Sequence, residues 1–227
     1  MKNHLVILGG MGPQASLQLH RLLLEGSMKF HDCKPDDFPF ILHASMQIPD
    51  FVSSPDNCPE VVRLINDVCS ASHLDSSSAV GIACNTAHML LEQLEIPPSK
   101  FVSMIDEAVK CVVDSGSKHI GLLASPNTIL SKLYEGPLTE AGLNVITPNA
   151  EELDKLGEVI RGVISGDSPE LFAGMLQAIA DRMTDDGADC ILLGCTELPL
   201  VGVQCSVQVV DSLSALSGAM LRRHYDA

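Results

Sequence analysis

The chain has 227 residues, of which 46% are hydrophobic, 19% charged and 4% aromatic, a profile that excludes disorder as the main state and leaves room for one large or two small cores. Twenty-nine Asp plus Glu against 14 Lys plus Arg give a formal charge of −15, so most of the surface repels a phosphate backbone and nucleic acid is not an expected partner. No apolar run approaches the roughly 20 residues that span a bilayer, and residues 5–8 are too short for a secretory core; no membrane partner is expected, and the cytoplasm is the expected location.

In chain order, residues 4–8, 40–44, 79–83, 119–123 and 190–193 are short runs apolar at consecutive positions, as in strands of a parallel sheet covered on both faces. Residues 101–105, 144–146 and 207–210 are shorter strand candidates. Between them, residues 15–28, 60–71, 105–114, 151–164 and 169–183 carry apolar residues at three- and four-residue spacing, the mark of amphipathic helices. The repeated strand-helix order predicts an α/β fold of two pseudo-symmetric open parallel-sheet (Rossmann-like or flavodoxin-like) domains. One half ends a strand on Ala83-Cys84-Asn85-Thr86 and the other on Gly194-Cys195-Thr196-Glu197. The Pro97-Pro98 stretch bars helix continuation and is the candidate crossing. With the final helix, 212–224, packing back, the expected domains are 1–100 plus 207–227, and 101–206.

The eight cysteines, at 33, 58, 69, 84, 111, 190, 195 and 205, include no CxxC pair, and a chain of this size needs no disulfide staples, so they read as reduced thiols. Six of them, Cys33, Cys58, Cys69, Cys111, Cys190 and Cys205, are assigned to packing or chance exposure. Cys84 and Cys195 differ, because strand carboxyl ends in open α/β sheets are where ligands bind. Each is followed by a helix start whose unpaired N–H groups and dipole lower a thiol's pKa and attract an anion. Thr196 is an N-cap candidate, and Asn85 and Thr86 read either as caps or as ligand contacts. Two thiols facing each other across one cleft suit a reaction in which a base on one face removes a proton from carbon and an acid on the other returns one. The glycine turn Gly9-Gly10-Met11-Gly12-Pro13 offers backbone N–H groups to a carboxylate or serves only as a turn; it lacks the GxGxxG spacing and the Walker A lysine, so no nucleotide cofactor is expected. His88 stands four residues after Cys84, but no second Cys/His pair completes a metal site, and none is expected.

The glycine turn, the Gln47-Ile48-Pro49-Asp50 run, the Cys84-Asn85-Thr86-Ala87-His88 segment, Gly121-Leu122-Leu123-Ala124-Ser125 with Thr128, and Gly194-Cys195-Thr196-Glu197-Leu198 together resemble the aspartate/glutamate racemase family, nearest its aspartate racemase branch. They fall in the family's order and span nearly the whole chain. The resemblance implies a cofactor-independent amino-acid racemase of two pseudo-symmetric domains, with the active site between them, and a homodimer. It implies Cys84 and Cys195 as the two bases. Met11, Gln47, Phe51, Asn85, Thr86, Ser125, Thr128 and Thr196 would line the substrate, with Gly10, Gly12, His88 and Glu197 in support.

The sequence departs from that pattern at two places. Aspartate-specific members carry an Arg after the QIPD run and a Lys near position 166, which together grip an acidic side chain; here Phe51 and Ile164 stand there, with Arg161 and Lys155 as the nearest cations. Aspartate and glutamate are therefore not the expected substrates. Two other readings stay open: a related superfamily isomerase or hydantoin racemase, and a non-catalytic module that binds a small acid.

Overall fold

The computed structural model describes residues 3–32, 34, 36–52 and 54–226; Cys33 lies outside them. In chain order the elements are β1 (His4–Gly9), α1 (Pro13–Ser27), β2 (Ile41–Ser45), α2 (Cys58–Ala71), β3 (Ser77–Ile82), a 3₁₀ helix (Thr86–Gln93), α3 (Met104–Asp114), β4 (His119–Ala124), α4 (Pro126–Leu130), α5 (Glu135–Glu140) and β5 (Asn144–Ile146). They continue with α6 (Ala150–Ser165), a 3₁₀ turn (Pro169–Phe172), α7 (Ala173–Asp185), β6 (Cys190–Gly194), α8 (Leu198–Val201), β7 (Gln208–Asp211) and α9 (Ser212–Tyr225).

The strands form two parallel sheets, of order β2-β1-β3 and β5-β4-β6-β7. In the first, Leu5 lies opposite Ile41 of β2 and Leu8 opposite Ile82 of β3, with Phe101 adding an isolated parallel bridge to Val80. Each sheet therefore has its first strand between its second and third, with a further partner outside the third. The duplication expected from the order of apolar runs is present in the topology.

Consecutive apolar residues occur because both faces of each sheet are covered. Leu5 and Ile7 point to a cluster with Leu19 and Leu23 of α1 and Leu213 and Leu216 of α9, while Val6 and Leu8 point to Val61 and Ile65 of α2. The second sheet packs Leu123, Ile191 and Leu193 against Leu156 and Val159 of α6 and Leu176 and Ile179 of α7. Helix α6 begins where a capping box fixes it: the Asn149 side chain accepts from the Glu152 N–H at 3.0 Å and Glu152 accepts from the Asn149 N–H at 2.8 Å.

The chain divides into two compact units, Met1–Met104 with Leu213–Ala227, and Ile105–Ser212. Two elements differ from the sequence expectation. Residues 101–105 are not a strand, since only Phe101 pairs and Met104 already begins α3. The helix expected from 169 starts as a 3₁₀ turn and becomes α-helical at Ala173.

Candidate active site

In each sheet the loops after the first and third strands leave the carboxyl edge side by side, the topological switch point at which open α/β sheets bind ligands. In the first unit these loops are Gly9 to Pro13 and Ala83 to Thr86, joined where the Ala83 N–H donates to the Leu8 carbonyl at 2.9 Å. Gly10 has φ of 99°, and a Cβ there would run into the Met46 carbonyl, so this turn tolerates only glycine. The Met46 N–H in turn donates to the Gly9 carbonyl at 3.2 Å, bringing the 46–51 segment to the strand ends. Asp50 accepts from the Val52 N–H at 2.9 Å, a tight side-chain turn around Phe51. Phe51 and Cys84, each 7% exposed, belong to one apolar cluster that Met11 also packs against. Gln47 is exposed.

Asn85 occupies the N-cap position of the 3₁₀ helix without a side-chain cap bond. His88 is buried within this helix. Its Nδ1 lies 3.0 Å from the Cys84 carbonyl, and its Nε2 accepts from the Met104 N–H at 3.2 Å. That pair of contacts selects the tautomer with the proton on Nδ1, and the neutral ring ties the peptide of Cys84 to the start of α3.

In the second unit Ala124 of β4 lies opposite Gly194 of β6, so Ser125 and Cys195 leave adjacent strands together. Ser125 caps α4: its Oγ accepts from the Thr128 N–H at 3.3 Å and donates to Thr128 Oγ1 at 2.9 Å. Cys195, Thr196 and Glu197 are all buried. The Cys195 thiol donates to Glu197 Oε2 at 3.1 Å, and the Thr196 hydroxyl donates to the same oxygen at 3.0 Å. Burial pushes the Glu197 carboxyl above the usual carboxylate range, against the pull of these two hydrogen bonds and of its own backbone N–H. Its Oε1 is buried and has no hydrogen-bond partner among the described residues. Thr196 is not the cap expected from sequence; the N-cap of α8 is Glu197, without a side-chain cap bond. The Thr196 hydroxyl turns to the neighbouring carboxylate instead.

Sequence reasoning missed Tyr134. It is fully buried, its ring lies where a Cβ on Gly194 would come within 2.8 Å, and its hydroxyl bonds to the Ser212 side chain. Burial holds the phenol well above its ordinary value, reinforced by Asp211, Cys195 and Asp106. A single aromatic between two short helices leaves no periodic signal, so nothing in the sequence marked it.

Burial pushes the Cys69 and Cys190 thiols up to about 11, and Cys58, Cys111 and Cys205 are half-buried. Ile164 is 43% exposed near the end of α6. Arg161 is exposed and lies across Gly157 beside Pro126, lining a cavity of about 480 Å³ whose other charges include Glu151, Asp154 and Glu158. Lys155, in the same cavity, is paired with Glu151 at 2.6 Å. Among the described residues no group of three or more His, Cys, Asp or Glu is placed to hold a metal ion, and no helix is long and apolar enough to cross a membrane.

Met11, Phe51 and Cys84 thus come together in one unit, and Ser125, Thr128, Cys195, Thr196 and Glu197 gather at the strand ends of the other. A duplicated α/β chain with a cysteine at the same switch-point position of each sheet is the class defined so far. The family model described as Asp/Glu/Hydantoin racemase matches residues 8–219, and the chain belongs to that family. It is 23% identical over 215 residues, 93% of either chain, to the broad specificity amino-acid racemase RacX of Bacillus subtilis. The structure of the Picrophilus torridus aspartate racemase superposes over the whole of both chains with a TM-score of 0.80 at 24% identity. An aspartate racemase homologue from Pyrococcus horikoshii does so over 98% of each, with a TM-score of 0.77 at 24% identity. At such identities the structural likeness speaks for the fold, two parallel-strand sheets in a mixed α/β chain. The resemblance read from the motifs is borne out, and the chain is an enzyme of the racemase, hence isomerase, class.

Proposed function

We propose that this protein racemises amino acids without pyridoxal phosphate, metal or nucleotide, inverting Cα by proton transfer between Cys84 and Cys195. The observation that carries the reading is topological: both cysteines follow the third strand of sheets with the same strand order. One thiolate removes the α-proton and the opposite thiol supplies its own to the other face, so the carbanion is quenched with inversion. The glycine turn, Asn85 and Thr86, with Ser125, Thr128 and Thr196, hold the α-carboxylate and amino group. Gly12 and His88 hold the loops that carry them.

The substrate is an amino acid with a neutral or apolar side chain. Phe51 packs with Cys84 where an acidic side chain would need a cation, and an unpaired carboxylate taken out of water costs several kcal/mol. The name of the broad specificity racemase among the relatives fits that range. The enzyme works as a cytoplasmic homodimer with its thiols reduced.

The test is a screen of L- and D-amino acids in deuterated water, reading deuterium at Cα and enantiomeric composition. Inversion of at least one neutral amino acid, abolished in both Cys84→Ser and Cys195→Ser, supports the reading. No inversion of any amino acid, with turnover of a hydantoin or of maleate instead, overturns it.

A further inference from the structure

The two candidate acid-base thiols do not stand in equivalent surroundings. Two residues after Cys84 the chain carries Thr86, whose hydroxyl is no acid or base near neutral pH; two residues after Cys195 it carries Glu197. That carboxyl is 4% exposed and makes no ion pair with a Lys, Arg or His among the described residues. Its side-chain donors are neutral, Cys195 at 3.1 Å and Thr196 at 3.0 Å, both on Oε2, and its own backbone N–H adds a further neutral contact. Oε1 is buried with no partner among the described residues. An ionised carboxylate in this position leaves one oxygen unsupported in a medium where that is expensive. With the proton on Oε2, Oε1 is a neutral carbonyl oxygen, whose burial without a partner costs less than that of a charged one.

We propose that Glu197 is a proton holder for Cys195: the Cys195 S–H bond breaks, its proton passes to Glu197 Oε2, and the resulting neutral carboxylic acid donates its O–H back to the thiolate. One proton is shared and the net charge of the pair stays at −1, so Cys195 becomes a nucleophilic base without releasing a proton to solvent. The charge moves from a carboxylate with an unsupported oxygen to a large, polarisable sulfur beside the strand-end loops. Tyr134, which packs against Gly194 and interacts with Cys195, stays neutral and supplies no cation to the pair. In the place after Cys84 that corresponds to Glu197 stands Thr86, whose hydroxyl takes up no proton near neutral pH.

The inference rests on the reading of Cys195 as an acid-base group, but its readout does not depend on turnover. The rate of iodoacetamide labelling is followed at Cys84 and Cys195 separately, by peptide mass spectrometry, across neutral pH. In the wild-type protein Cys195 labelling should be nearly independent of pH over about two units, because the thiolate fraction is set inside the pair. In Glu197→Gln, which preserves shape and hydrogen bonding but cannot take the proton, Cys195 should label roughly tenfold more slowly at neutral pH and regain the ordinary tenfold rise per pH unit, with Cys84 unchanged. Unchanged or faster labelling of Cys195 in the variant overturns the proposal, the first showing a merely structural carboxyl and the second a carboxylate that only repels the thiolate. If the variant does not fold, the wild-type profile decides alone: an ordinary tenfold rise per unit at Cys195 overturns the proposal. A racemase that works with both thiols yet shows that ordinary rise would lose the proton holder and keep the function.

Discussion

The ring of Tyr134 fills the space beside Gly194 so closely that a Cβ at 194 would stand 2.8 Å from its Cε2. The residue before Cys195 is therefore held to glycine by a fully buried phenol rather than by its own backbone angles. Gly194→Ala should push the ring off its Ser212 partner and destabilise the protein by about 1–3 kcal/mol, the usual penalty of overpacking. Denaturant unfolding measures this directly. Tyr134→Leu with Gly194→Ala should recover most of the loss, because the pair shares one volume.

Substrate range follows from Phe51. It is buried in the cluster that contains Cys84, where the motif resemblance implies a cation for an acidic side chain. The wild type should show a kcat/KM for a neutral amino acid at least tenfold above that for aspartate, about 1.4 kcal/mol in transition-state binding. Phe51→Arg should narrow or reverse that ratio. A wild type that already favours aspartate tenfold would mean that another cation reaches the substrate, and Arg161 would be the first to remove.

Thiol chemistry separates the cysteines. Cys69 and Cys190, pushed up to about 11 by burial, should label slowly at pH 8. Alkylation should inactivate through Cys84 and Cys195, and bound substrate should protect both. Chelators and hydroxylamine should leave the activity unchanged; inhibition by either would put a metal or a carbonyl cofactor into the reaction.

Much of this was legible in the sequence, for a physical reason. Strands covered on both faces need apolar residues at every position, so 4–8, 119–123 and 190–193 stood out, and their repetition gave the duplicated α/β order. The cysteines could be placed because strand ends follow directly from strand identity. Residues 101–105 misled because an apolar run does not tell a strand from a helix start; the His88 ring takes the Met104 N–H and α3 begins there. Thr196 was expected as a cap because a threonine before a helix usually is one, but its hydroxyl finds a buried carboxylate one residue away. Tyr134 was out of reach, since what makes it matter is the gap above Gly194, and only the folded chain shows it.

Glu152 links stability to pH. Burial alone would raise its carboxyl, but hydrogen bonds from Arg182, at 2.5 and 2.9 Å, and from the Asn149 N–H hold it below its ordinary 4.5. The folded value lies under the unfolded one, so this stabilisation is complete above about pH 4.5 and is lost as pH falls through the folded value. Arg182→Met should lose about 1–2 kcal/mol at pH 7, less than a fully buried pair because the guanidinium is partly exposed, and less at pH 3 than at pH 7. An equal loss at both pH values would show that Arg182 acts by packing alone.

The central claim is that two different groups handle the proton on the two faces of Cα. It is tested most directly by starting from one enantiomer of a turned-over amino acid in deuterated water and analysing both enantiomers within the first few per cent of conversion. Two thiols with separate protons require the product to carry deuterium at Cα while recovered substrate stays almost unlabelled. Deuterium appearing in recovered substrate as fast as product forms would mean that one group takes and returns the proton, and the two-thiol account would be wrong.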